Sequence, residues 1–403
     1  MILELIIALL CGVTAGTLTG LLPGIHINLV SAILISSSSI LLTIFSPIAL
    51  VIFIVSMTIT HTFLDFIPSI FLGAPDEDTT LSVLPGHEFL LKGRAHEAII
   101  LTLYGGLIGI FLIITFSPIF IYIFPIIYSN LKFVMFFLLV FANVYLIFKE
   151  KKSKTTALII FLLSGFLGLA TITLPLKESL LPLLTGLFGS SSLIVSISKS
   201  QKIPKQKIIL LKKLKISKKE ALLSSIASVL TAPLCAFLPA LGTGQAAAIG
   251  SDIIGEVKRR EFLILLGTIN TAIAGLSFIT LYSIQKARTG TAVAVQTLLQ
   301  NITLQNMMII LIIMVISAVL AFFLALFISK LLSKYISKIN YRILSLSTLI
   351  FITAIVIFFS GWLGFLIFTT ATFIGLFTIL TGVRRTHLMG SLMLPSIIFY
   401  LPF

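Results

Sequence analysis

Apolar residues in this chain come in runs too long for the core of a soluble domain. Such runs cover residues 2–22, 29–64, 99–127, 133–148, 155–174, 180–197, 221–238, 262–284, 307–332, 343–359, 363–380 and 388–400. A helix needs about 20 mostly apolar residues to cross a bilayer, where every backbone NH and carbonyl must be satisfied without water. The run at 29–64 is long enough for a hairpin, or for one tilted helix plus a half helix. Composition agrees: 58% of the 403 residues are hydrophobic and 10% are charged, too little polar surface to cover a globule. The pattern predicts an all-α polytopic membrane protein with about ten to twelve transmembrane helices, some of them broken.

The formal net charge of +15 would suit a nucleic-acid binder, but its distribution argues otherwise. Basic residues gather in the short connections 149–154, 199–220, 258–260 and 330–342 and at Arg384 and Arg385. The positive-inside bias makes these loops cytoplasmic. Two apolar runs separate Lys154 from Lys199, and two separate Arg342 from Arg384, so each pair of basic loops falls on one side as required. The first run carries Glu4 and no preceding basic residue, so a removable signal peptide is not expected. Cys11 and Cys235 both lie in apolar runs and read as inert thiols.

Within these apolar runs, "GLLPGIHINLVSA" at 20–32 is out of place, with a Pro-Gly pair, a histidine and an asparagine close together. "AFLPALGTGQAAA" at 236–248 repeats the anomaly. Laying Glu4 over Glu220 puts Pro23 on Pro239 without a gap, so the chain reads as two repeated halves, 1–198 and 220–403, joined by a basic cytoplasmic linker at 199–219. That linker, with its interspersed Ile and Leu, is expected to be amphipathic and to face lipid. Proline removes a backbone donor and glycine loosens a helix, so both stretches should unwind. Freed backbone groups are tolerated only against protein or a watery cavity. Pro23, Gly24, His26 and Asn28 in the first half, with Gly242, Thr243, Gly244 and Gln245 in the second, are thus candidate ligand contacts. The plain alternative is a pair of kinks in ordinary membrane helices.

A second pair of irregular segments follows. Gly73-Ala74-Pro75 falls opposite Thr289-Gly290-Thr291 in the same register. The charges differ in sign: Asp76, Glu77 and Asp78, followed by Thr79 and Thr80, against Lys286 and Arg288. An acidic triplet suits a coupling cation, and a Lys with an Arg suits an anion; solvated loop charges are the bland alternative. His61 and Asp65 stand four apart within an apolar run, which reads either as a proton relay or as a structural hydrogen bond. Asn270 lies in a small-residue tract of another apolar run and needs a partner, a ligand being one candidate.

The order Gly-x-x-Pro-Gly in the first broken helix, Gly-x-Pro followed by acidic residues and threonine, and then "PGHEFLLKGRAHEA" resembles the large membrane subunit of tripartite tricarboxylate transporters, the TctA family. Pro23 and Gly24 match the family's first loop, Gly73 and Pro75 its second, and Lys92, Gly93 and Ala95 its third. The resemblance implies secondary transport of a small carboxylate, driven by sodium or protons, with a small membrane subunit and a binding protein as partners. His26 and Asn28 stand where that family tends to have small residues.

The expectation is alternating access, with an anion held between the two breaks by amide NH groups, Arg288 and Lys286, and with His61, Asp65, Asp76, Glu77 and Asp78 as ion-coupling candidates. A polyprenyl-phosphate lipid carrier translocase is the alternative, since it needs the same anion chemistry. An enzyme is not expected. His87, Glu88, His96 and Glu97 lack the helical spacing of a zinc hydrolase, no resident metal or other cofactor is implied, and no phosphate-cradling loop or nucleophile elbow occurs.

Overall fold

The computed structural model describes residues 2–22, 27–73, 79, 83–176, 179–199, 203–214, 216–238, 241–255 and 257–401. These residues are overwhelmingly helical. The first half holds α1 (Ile2–Leu21), α2 (Ile27–Ser36), α3 (Ser38–Ile44), α4 (Pro47–Leu64), α5 (Phe66–Leu72), α6 (Val83–Leu91), α7 (Ala95–Phe148), α8 (Lys154–Thr173), α9 (Leu180–Leu184) and α10 (Ser191–Lys199). The second holds α11 (Lys218–Phe237), α12 (Thr243–Ile254), α13 (Arg259–Ile284), α14 (Gly290–Leu299), α15 (Leu304–Tyr335), α16 (Tyr341–Thr381) and α17 (Gly390–Phe399).

Among the described residues nine helices are long and apolar enough to cross a membrane. Two further apolar helices lie within longer elements: Val134–Phe148 follows Ala95–Asn130 in α7, and α16 is two helices joined across a kink at Gly361. Pro118 and Pro125 lie within α7. In α16, Gly361 adopts a left-handed φ of 66° that interrupts the helix, and Ile352, Val356 and Phe368 from its two sides all pack around Leu193.

The first elements on the two sides of the linker are similar in order and length. α1 and α11 each run 20 residues, and α11 starts 216 positions on, at Lys218 against Ile2; α12 and α2 keep that offset, at Thr243 against Ile27. Residues Pro47–Leu72 and Arg259–Ile284 are both 26-residue apolar stretches. The register then slips. Gly73 does not stand opposite Thr289: it ends α5 with φ 66°, the role that Gln285 with φ 53° plays after α13, while Thr289 is the N-cap of α14. The slip arises between α2 and α4, where the first half carries the extra short helix α3.

Close contacts fix the helix directions. α7 and α13 run side by side in the same sense, Gly105 against Ile264 and Thr268, Gly275 against Ile113. α7 and α15 run oppositely, since His96 Nδ1 lies 2.9 Å from Ser329 Oγ while the ring of Tyr104 meets that of Phe322. α1 and α4 run together, with Gly12 on Phe53 and Gly20 on Leu64, and Glu4 accepts both the NH and the hydroxyl of Ser46 at 2.8 Å. Phe63 sits on Gly106, whereas Ile70 sits on Gly86 in α6, the helix leading into α7, so α4 and α5 run against α7.

Charges close the end of the bundle that bears the basic loops. Glu97 is buried and accepts Arg94 Nε at 2.7 Å and Arg260 Nη1 at 2.6 Å, tying α7 to α13. The linker is docked there: Lys207 NH donates to the carbonyl of Gly93 at 2.7 Å, and Gln206 Oε1 accepts the NH of Ala95 at 3.0 Å.

Candidate functional site

Interrupted helices meet in a cavity of about 420 Å³. Its wall is drawn from both halves: Asn28 from α2, Thr58, His61 and Thr62 from α4, Asn270 and Ser277 from α13, Cys235 and Gly242 on either side of the second break, and Arg288 to Thr291. No Asp or Glu is among the described lining residues. α2, α12 and α14 each start at this wall. A helix start leaves backbone NH groups without intrahelical partners and carries partial positive charge.

A buried polar cluster lies beside the cavity. Asn270 Nδ2 donates to Asp65 Oδ2 at 2.8 Å, and Asn270 Oδ1 accepts Thr243 Oγ1 at 3.4 Å. Thr62 Oγ1 is 3.4 Å from Thr271 Oγ1, which joins α4 to α13 again. His61 Nδ1 lies 3.1 Å from Thr19 Oγ1 on α1. Thr19, His61, Asp65, Thr243 and Asn270 are all buried. A buried ionisable carboxyl within such an apolar stretch is costly in lipid unless it is paired, and Asn270 supplies that partner here.

Arg288 is held in an unexpected way. Its guanidinium donates to the carbonyls of Phe237 at 2.9 Å and of Cys235 and Leu238 at 2.7 Å. The last carbonyls of any helix lack intrahelical donors, and Pro239 has no NH to offer Cys235 four residues back. Arg288 therefore caps the broken end of α11 while also facing the cavity. Asn28 Oδ1 accepts the NH of Gly290 at 3.0 Å, joining the start of α2 to that of α14. A Cβ at Gly290 would meet that amide at 2.8 Å, which is why glycine stands there.

The structure thus gathers Asn28, His61, Gly242, Asn270, Arg288, Thr289 and Gly290 around one cavity, with Asp65 and Thr243 hydrogen-bonded behind it. Gln245 caps α12, its Oε1 accepting the NH of Gly242 at 3.0 Å, and Gly244 is buried in the same turn. Lys286 lines a different cavity together with Arg288. Gly73 ends α5, and the carbonyl of Thr79 accepts Ser69 Oγ at 3.2 Å. Pro23, Gly24, His26, Pro75, Asp76, Glu77, Asp78 and Thr80 lie outside the described residues. Thr19, Thr58 and Ser277 escaped the sequence reading because a threonine or serine in an apolar run usually bonds its own helix. Cys235, read as inert, is on the wall.

The described residues form a helical, multi-pass bundle around a polar cavity, an arrangement that secondary transporters share. Residues 6–390 match the Tripartite tricarboxylate transporter TctA family, and the chain belongs to that family. An uncharacterized protein of Methanocaldococcus jannaschii is 32% identical over 407 residues, spanning 98% of each chain. No solved structure matches the chain. Family and helices together make this a multi-pass protein of the cell membrane.

Proposed function

We propose that the chain is the translocating subunit of a cation-coupled carrier of small carboxylates, working by alternating access between two inverted halves. The cavity carries the reading: three helix starts and Arg288 converge on it, and no acidic side chain is among its described lining residues. Helix directions support the inversion. α4 with α5 runs against α7 while α13 runs with it, and α7 opposes α15, so corresponding elements point oppositely across the linker. Such halves can rock about a midplane site. A small membrane subunit and a binding protein are the partners this reading calls for. The family offers no such support to the lipid-carrier alternative.

Coupling is assigned to Asp65. It lies next to the cavity rather than on its wall, accepting from Asn270 Nδ2, whose amide oxygen in turn accepts from Thr243 Oγ1 of α12. Hard cations take oxygen ligands, and a lone buried carboxyl also serves as a proton carrier. The test is uptake of labelled citrate and succinate, under imposed sodium or proton gradients, into proteoliposomes that hold the chain together with its small membrane subunit and are supplied with the binding protein. Wild type should accumulate one of them in a gradient-dependent manner, and Asp65→Asn should keep binding but lose accumulation. Equal accumulation by Asp65→Asn would remove the coupling assignment; no gradient-driven uptake of either acid by wild type would remove the proposed function.

A further inference from the structure

A second cavity, of about 280 Å³, lies against the first. Tyr128, Phe237, Lys286, Arg288 and Tyr400 line it, and Ala236 and Arg288 line both cavities, so the Arg288 side chain stands in the partition between them. α13 leaves the basic, cytoplasmic loop at 258–260 and reaches Ile284 after 26 residues, about 39 Å of helix across a hydrocarbon core of roughly 30 Å. Lys286 follows immediately, so this cavity belongs to the outer face. The Lys286 ammonium sits 4.9 Å from the centre of the Tyr128 ring, which holds a cation at the cavity's edge. Again no carboxylate is among the described lining residues, whereas two cations are.

We propose that this cavity is an outer vestibule for small carboxylates, in series with the central one. Resting on the carboxylate reading above, the proposal adds the access route. Lys286 gathers the anion from the outer water, and Arg288 receives it at the partition. A carboxylate is a stronger acceptor than the peptide carbonyls of Cys235, Phe237 and Leu238 and so competes for the guanidinium that caps α11. Arrival of the anion is thereby linked to the end of a broken helix. A basic residue in an outer connection also runs against the positive-inside bias, which fits a role in capture rather than in topology.

Cys235, on the wall of the central cavity, reports on passage through the vestibule once Cys11→Ala has removed the other thiol. Intact cells carrying that protein are treated with anionic sulfonatoethyl methanethiosulfonate or with an uncharged ethyl analogue. Reversing one charge at a confined mouth, a change of two units, alters rates by about tenfold. Lys286→Glu should therefore slow the anionic reagent by about tenfold and leave the uncharged one unchanged, and millimolar citrate should slow both. Should Lys286→Glu fail to insert, Lys286→Gln serves, with an expected slowing of about threefold. Equal rates for both reagents whatever the residue at 286, or no labelling of Cys235 from outside, overturn the vestibule. Citrate uptake with charge-blind labelling leaves the transport reading standing alone. Charge-dependent labelling without citrate protection or uptake keeps an anion path and overturns its assignment to carboxylates.

Discussion

Arg288 shows how a charge in a membrane protein can serve structure and ligand at once. The carbonyls of Cys235 and Phe237 at the end of α11 depend on it, while that of Leu238 also accepts the NH of Leu241 at 3.4 Å. Replacing it by alanine leaves partly buried acceptors without a donor, at a cost of about 1–3 kcal/mol, so Arg288→Ala should unfold at lower temperature as well as fail to transport. Arg288→Lys, a point charge without the planar fork, should recover part of the stability; full thermal stability in Arg288→Ala would remove the capping role. A second buried residue pair sets a pH dependence. His387 Nε2 and Glu150 Oε2 are 3.1 Å apart, just beyond the end of α7. Burial holds His387 below its usual 6.5, more than the Glu150 carboxylate beside it restores. Burial alone would raise Glu150, but the NH groups of Lys152 and Arg384 together with His387 bring it below its usual 4.5. Both groups are depressed, so the unfolded chain takes up protons first. The stabilisation is complete above about pH 6.5, weakens as His387 is forced to charge, and falls again below about pH 4.5 as Glu150 protonates. Melting temperatures between pH 8 and 4 should show this decline, and His387→Gln should flatten its upper part; an unchanged slope would assign it to other groups.

At the scale of the helices, packing depends on small residues placed where backbones touch. A Cβ on Gly267 would run into the carbonyl group of Thr102 in α7, whereas one on Gly189 meets nothing within 4 Å. Gly267→Ala should therefore cost about 1–3 kcal/mol by forcing α7 and α13 apart, and Gly189→Ala should cost next to nothing. Thermal unfolding of the two purified variants separates them, and equal stability would contradict the close α7–α13 contact. The sequence carried the helices openly: an apolar run of about 20 residues has few other outcomes in lipid. Asn28, Asn270 and Thr243 were legible because amides and hydroxyls near the expected breaks need partners. Hidden were the pairings, because nothing local tells Asp65 that its donor is Asn270 rather than His61, or Arg288 that its acceptors are carbonyls of α11. The slip of one helical turn at Gly73 was equally hidden, since α3 adds residues without any charge or proline to mark them.

Across the whole molecule the unresolved choice in the sequence was between parallel and inverted halves, because the loops beside the breaks are short and of mixed charge. Direction comes from side-chain contacts instead. α1 and α4 start together at Glu4 and Ser46, and α4 with α5 ends near α6, which leads into Arg94 and the buried Glu97. α11 and α13 also start together, Ser224 Oγ donating to the carbonyl of Glu261 at 3.4 Å, yet Arg260 at the start of α13 reaches that same Glu97. The 26-residue stretch of the first half therefore ends at the face where its counterpart begins. Phe45 and Lys258 precede these counterparts by one or two residues and are both exposed. In a background without Cys11 and Cys235, an impermeant maleimide applied to intact cells should label Phe45→Cys and spare Lys258→Cys until the membrane is opened. Parallel halves would present both positions on one side, so labelling of both, or of neither, from outside would rule out the inversion and with it the rocking motion that alternating access here requires.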